Sequence, residues 1–255
     1  MFPIMTTVAT RYAPVATWTL ILINVLVFLG QISLTKAGLE AFLMRYALVP
    51  EAFFNPGWAA LHGFEGGRLL PFLSNIFLHS GWMHLILNMW TLYIFGPVVE
   101  DRLGSSRYIL FFLACGIGAS FAHAFANPGS TLPALGASGA IAGIMGAYMR
   151  LFPLSRILVV IPIFIFPFFV EIHAAIFVGL WFLIQIMGGL GGLFSDAAAT
   201  TGGIAWWAHI GGFAVGWVLI DFIRRRPPHY REYQRDEGVY GFLPNGQRRG
   251  KGPWS

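Results

Sequence analysis

The chain has 255 residues, is 56% hydrophobic and only 11% charged, and carries a formal net charge of +5. A soluble domain is usually about 25% charged, so this composition excludes an ordinary soluble fold and points to a polytopic membrane protein with about six spans of about 20 residues each. The basic residues sit at span ends and in the tail, where they act as topology signals, so nucleic acid is not an expected partner. The single cysteine, Cys115, excludes an intrachain disulfide and a cysteine-based metal site.

Uncharged runs place the spans. Tyr12 to Thr35 reads as the first helix. It is too long for a signal-peptide apolar core and no cleavage site follows, so it reads as a retained span. Residues 36–68 mix Glu40, Arg45, Glu51 and Glu65 with Phe53, Phe54 and Trp58, which suits a loop lying at the interface. Leu69 to Val99 holds the second helix, and Glu100 to Arg107 forms a short polar turn. Tyr108 to Met149 carries no charge. It divides into two spans at Asn127-Pro128-Gly129-Ser130, which reads as a turn. Ile157 to Val170 is apolar but broken by Pro162 and Pro167, so an interfacial or irregular segment is expected there. The fifth span is expected from Glu171 to Met187, a loop from Gly188 to Gly203, and the sixth span from Ile204 to Ile223. The resulting organisation is a short segment over 1–13, a membrane domain over 14–225 and a polar tail over 226–255, whose composition predicts disorder. Both termini are expected to be cytoplasmic. With six spans, Arg11, Arg102, Arg107, Arg150, Arg156 and Arg224 to Arg226 share one side, and only Lys36, Arg45 and Arg68 lie on the other.

Polar residues inside spans are functional candidates by default. Here they are Asn24, His79, His84, Asn88, His123, Ser138, His173 and His209. A transmembrane serine alone usually bonds its own backbone, so the question is which of these converge. At 1.5 Å rise per residue, Ser138 and Asn88 each lie about 18 Å, His209 about 22 Å and His84 about 24 Å from the charged inner end of their helices. All four therefore occupy one layer below the outer face. The helix that starts at Ser138 is short for a full span, so its N-terminus opens inside the membrane, which requires water or protein to satisfy it. His84 and Asn88 share a face at i, i+4. Gly212 and Gly216 lie on the face of His209, and Gly139, Gly143 and Gly146 form a stripe beside Ser138. Small residues let membrane helices approach closely, and two such faces in contact would bring the serine oxygen to an imidazole nitrogen.

These residues carry a resemblance. Gly136-Ala137-Ser138-Gly139 resembles the GxSG motif of the rhomboid intramembrane proteases, and Ala208-His209-Ile210-Gly211-Gly212 resembles their last-helix histidine motif. His84-Leu85-Ile86-Leu87-Asn88 resembles their HxxxN element, and Gly96, Glu100 and Gly104 fit the turn after their second helix. The similarity runs over residues 15–225, in the family's order. It implies an all-α polytopic membrane protein, a six-transmembrane-helix rhomboid-like bundle, with serine endopeptidase activity on peptide bonds in or near transmembrane segments. By that resemblance Ser138 is the nucleophile and His209 the general base, while His84, Asn88 and the Ser138 N–H form the oxyanion hole. Phe177, Trp181 and Phe182 of the fifth helix belong to a substrate gate. No cofactor and no metal are expected, and the expected partners are transmembrane protein substrates and the lipid bilayer of a bacterial inner membrane. Three positions depart from the family's pattern: Ala142 stands where many relatives carry an aromatic that packs on the histidine, Gly67-Arg68 where a Trp-Arg pair is usual, and Ile204 where a glycine is common. The alternative class is a catalytically silent rhomboid-like protein that binds client helices. Loss of the serine or histidine would mark it, and both are present.

Overall fold

Among the described residues, five apolar runs become helices long and apolar enough to cross a membrane. They are α1 (Val15–Ile32), α6 (Trp82–Leu103), α7 (Ser105–Ala126), α9 (Ala174–Phe194) and α10 (Trp206–Ile223). The remaining expected span, the fourth in chain order, is α8 (Ser138–Leu151), a helix of 14 residues. At 1.5 Å per residue it is about 21 Å long, shorter than a hydrocarbon core of about 30 Å, as its sequence position suggests. This computed structural model describes residues 2–163, 166–194 and 205–224. The tail over 226–255, residues 195–203 of the expected loop and Ile204 lie outside them. The interfacial segment is more regular than a loop: α2 (Lys36–Tyr46), α3 (Pro50–Phe54) and α4 (Pro56–Leu61) fill it, followed by α5 (Leu70–Ser74) and one turn of 3-10 helix over Asn75–Phe77. Thr35 and Asn55 start two of these helices, their side-chain oxygens accepting from the N–H of Gly38 at 3.2 Å and of Trp58 at 3.0 Å.

Two expectations are corrected in the second half. Residues 188–194 are helical, not loop, because α9 runs on to Phe194. Glycines that would signal a turn in water remain helical in lipid, where the backbone has no other partner. Here Gly188 packs beneath the Trp206 ring, where a Cβ would collide. The start of that helix also moves, from Glu171 to Ala174, because the preceding segment is a hairpin. Strands β2 (Arg156–Ile163) and β3 (Phe166–His173) pair antiparallel, and β1 (Phe2–Thr6) adds to the other edge of β2 in the order β1-β2-β3. The two prolines face each other across the hairpin, Pro162 against Pro167, and Pro162 lies beyond Val160, the last partner of β1. Its missing N–H therefore breaks no bond to β1, and the β-branched and aromatic residues flanking the prolines, Val159, Val160 and Ile161 on β2 and Phe168, Phe169 and Val170 on β3, favour strand. Trp90 Nε1 donates to the Pro3 carbonyl at 2.8 Å and fastens β1 to α6.

Three devices fix the bundle around the site. First, α8 and α10 meet through glycines. A Cβ on Gly212 would collide with the Gly139 carbonyl, one on Gly216 with the Gly143 carbonyl, and one on Gly146 would lie 2.6 Å from the Phe213 carbonyl. The two small-residue faces read from the sequence are therefore in backbone contact. Second, Glu100 is not a surface turn residue. It is 3% exposed and accepts from the N–H of Ala16 at 2.9 Å, from the N–H and hydroxyl of Thr17 at 2.7 Å each, and from the Ser105 hydroxyl at 2.7 Å. This carboxylate caps α1, whose own N-cap residue is Pro14 and supplies no side-chain bond. Third, the buried Gln31 of α1 clamps the chain entering α6. Its Nε2 donates to the His79 carbonyl at 3.2 Å and its Oε1 accepts from the His79 N–H at 3.0 Å.

Candidate active site

Ser138 is the first residue of α8. The loop that delivers it turns at Gly136, whose φ of +127° favours glycine and whose missing Cβ leaves room for the His84 ring, which would otherwise lie 2.7 Å away at Nε2. The Gly136 N–H donates to the Asn75 carbonyl at 2.9 Å, and Asn75 Nδ2 donates to the Ser120 hydroxyl at 2.9 Å, which ties the loop to the 3-10 turn and α7. His209 stands in the first turn of α10. Its Nε2 is 2.9 Å from Ser138 Oγ, a direct hydrogen bond between residues on two glycine-packed helices.

His84 and Asn88 lie together on α6. With Ser138, His209, Phe177 and Trp181 they line one cavity of about 930 Å³ that extends to Leu39 and Leu43 of α2 and to Pro3 of β1. The four residues placed in one layer by helix arithmetic thus face one space. The Ser80 hydroxyl lies 3.0 Å from His84 Nδ1, and the Ser80 N–H donates to the same atom at 3.5 Å. A backbone N–H can only donate, so Nδ1 accepts and the neutral ring carries its hydrogen on Nε2, the nitrogen that faces Gly136. Asn88 is 7% exposed, and its Nδ2 has no hydrogen-bond partner among the described residues. A buried amide N–H₂ without a partner is costly and is accounted for if a ligand oxygen completes it.

Of the three gate candidates on α9, Phe177 and Trp181 line the cavity, whereas Phe182 stacks on Phe213 of α10 with ring centroids 4.0 Å apart. The aromatic neighbour of His209 comes from this helix, not from α8. The Trp181 ring centre lies 5.7 Å from that of His209, and Ala142 is fully buried within the bundle. The other polar candidates do not join the site's hydrogen bonds. Asn24 Nδ2 donates to the Leu20 carbonyl of its own helix at 2.7 Å, and His173 ends β3 with Nδ1 3.0 Å from the Leu154 carbonyl. The His79 ring packs edge-on to His84, with centroids 5.1 Å apart. The carboxylates of Asp221 and Glu171 are engaged in ion pairs away from the site: Asp221 with Arg150 at 2.9 Å and Glu171 with Arg156 at 2.9 Å.

Sequence reasoning missed Gln185. It is 4% exposed, its Oε1 is 2.8 Å from His209 Nδ1 and its Nε2 donates to the Trp181 carbonyl at 2.9 Å. The available signal was an amide alone in the apolar run from Ala174 to Leu190, and uncharged amides do not interrupt such a run. Gln31, Asn75 and the hydroxyl residue Ser120, likewise uncharged, escaped in the same way.

Residues 66–226 match the family profile described as "Rhomboid domain". The chain is 34% identical over 168 residues to RHOMBOID-like protein 4 of Arabidopsis thaliana, covering 66% of this chain and 36% of that protein. It is 41% identical over 83 residues to rhomboid protease GluP of Bacillus subtilis, covering 32% of this chain and 16% of that protein. With mitochondrial Rhomboid protein 1 of Saccharomyces cerevisiae it shares 30% identity over 149 residues, or 57% of this chain and 38% of that protein. It thus spans well under half the length of each of these relatives. Since the profile takes in most of the chain, including the Ser138 and His209 helices, the chain belongs to the rhomboid family.

Proposed function

We propose that this multi-pass membrane protein is a serine endopeptidase that hydrolyses peptide bonds in or near transmembrane segments of other membrane proteins. The observation that carries the reading is the 2.9 Å contact between Ser138 Oγ and His209 Nε2 on the wall of the cavity. A serine hydroxyl is a poor nucleophile until a base takes its proton. In this reading Oγ attacks the scissile carbonyl carbon as its proton passes to Nε2. The negative charge on the carbonyl oxygen is met by Asn88 Nδ2, His84 Nε2–H and the Ser138 N–H, one of the helix-terminal donors without an intrahelical partner. The imidazolium then protonates the leaving amine as the C–N bond breaks, leaving an ester on Ser138. Water, deprotonated by His209, hydrolyses that ester and restores the serine.

A peptide bond within a helix is shielded by its own hydrogen bonds, so the substrate must enter sideways and unwind into the cavity past α9. Family analogy favours single-span substrates with a helix-weakening residue and a small residue at the cleaved bond. We place the protein in a bacterial inner membrane with both termini cytoplasmic.

The deciding experiment incubates detergent-purified protein with a model transmembrane substrate, with and without a fluorophosphonate. Ser138→Ala is expected to abolish both cleavage and labelling while the protein still folds, and full activity in that variant would sink the protease reading. Asn88→Ala removes one charge-stabilising donor, about 2.7–4 kcal/mol in comparable sites. Turnover should fall by about 10²-fold or more while some labelling of Ser138 persists. Wild-type turnover in Asn88→Ala would mean that Asn88 is not an oxyanion donor.

A further inference from the structure

We propose that Gln185 is the positioning residue of the site: it holds His209 in the one tautomer that can accept the Ser138 proton. The proposal rests on the Ser138–His209 reading above.

The amide can face only one way. Its Nε2 lies 2.9 Å from the Trp181 carbonyl, one turn back on the same helix. That carbonyl is an acceptor only, so the group facing it must be the NH₂. The flipped amide would set two oxygens against each other. Oε1 is therefore the atom turned to His209 Nδ1, 2.8 Å away. An amide oxygen only accepts, so Nδ1 carries the ring hydrogen. In a neutral imidazole the other nitrogen is then bare, and that nitrogen, Nε2, is the one 2.9 Å from Ser138 Oγ. The chain of donors runs from Ser138 Oγ to Nε2 and from Nδ1 to Oε1, with the amide fixed by the backbone of α9.

A neutral amide fits this place better than the carboxylate of a serine triad. Gln185 is 4% exposed, and an isolated buried carboxylate is heavily penalised. An amide keeps the acceptor geometry without that charge. Gln185 also stands on a different helix from both reacting residues: Ser138 is on α8 and His209 on α10. The base is therefore oriented only while α9 lies against α10.

The test uses the full chain in detergent. ¹⁵N NMR of the imidazoles, with the His209 signals assigned by their loss in His209→Ala, should show Nδ1 protonated and Nε2 bare at a pH where the ring is neutral. A wild-type ring protonated on Nε2 overturns the proposal without any Gln185 variant. In Gln185→Met the ring should lose that preference. Its kcat should drop tenfold or more, toward the ~10⁴-fold seen when a serine triad holds its histidine in the wrong tautomer, with KM little changed. A kcat within about twofold of wild type in Gln185→Met would likewise overturn it. The two readings fail separately. If His209→Ala still labels with fluorophosphonate at the wild-type rate, the Ser–His pairing is wrong. If His209→Ala is silent while Gln185→Met is fully active, only the role of Gln185 is wrong.

Discussion

α10 meets α8 and α9 in opposite ways. Against α8 it packs glycine on backbone, Gly212 on Gly139 and Gly216 on Gly143. Against α9 it packs large rings: Phe213 on Phe182 at 4.0 Å and His209 beside Trp181 at 5.7 Å. The first contact has no side chain that could rotate to absorb a change, so it sets one distance between helices. The second is built mainly from side chains that can repack, so α9 can shift without breaking a backbone-to-backbone fit, although such a shift would part Gln185 from His209. Ser138 and His209, the proposed nucleophile and base, straddle the first contact, and the cavity-lining residues Phe177 and Trp181 belong to the helix of the second. Under the proposed function, aligning two atoms and admitting a bulky substrate are demands that fall on two different faces of one helix.

The largest expected effect comes from breaking the rigid side. Gly212→Val would drive a side chain into the Gly139 carbonyl and displace α10 from α8 by something on the order of an ångström, a misplacement that can lower rate about 10²-fold. The variant should insert normally, keep both reacting residues and lose most cleavage activity in a detergent assay. Activity equal to wild type would mean that the glycine contact does not set the Ser138–His209 distance. A smaller effect of opposite sign is expected on the yielding side. Trp181→Ala loosens the packing of α9 and should raise cleavage of a transmembrane substrate by up to about tenfold, or at least not lower it. Labelling by a small fluorophosphonate serves as the reference that needs no gate. A large drop in cleavage with the fold intact would remove Trp181 from any gating role. The smallest effect belongs to Val218→Ala, on the outer side of α10 and 58% exposed. It should change stability by no more than about 0.5 kcal/mol and leave turnover near wild type.

The parts of the molecule legible in the sequence were those governed by local periodicity and by lipid. Apolar length gave the long helices, and the charges at their inner ends put His84, Asn88, Ser138 and His209 in one layer. Glycine spacing identified the two faces that meet. The illegible parts depend on partners distant in the chain or on neutral polar groups. The strand over Phe2–Thr6 exists because it pairs with residues near 157–160, and no local pattern announces a pairing across that separation. Pro162 and Pro167 read as breakers because each was weighed alone, whereas opposite each other near a hairpin end they are tolerated. Gln185 lacks charge, and its meaning appears only once α9 and α10 are side by side. Ala142 pointed correctly to a missing aromatic, but not to the helix from which Trp181 supplies one.

The capping of α1 by Glu100 has a consequence for how the protein is made. The N–H groups of Ala16 and Thr17 find their acceptor 84 and 83 residues further along the chain. At a synthesis rate of about 5–20 residues per second, α1 leaves the ribosome about 4–17 seconds before its cap exists. For that interval its first turn must be satisfied by water or lipid headgroups, which keeps its end at the membrane surface. Arrival of α6 then withdraws those donors from water and locks the first span to the second. Folding in the membrane is thereby given an order: α1 can enter early, but its starting end is completed only once α6 has been inserted beside it.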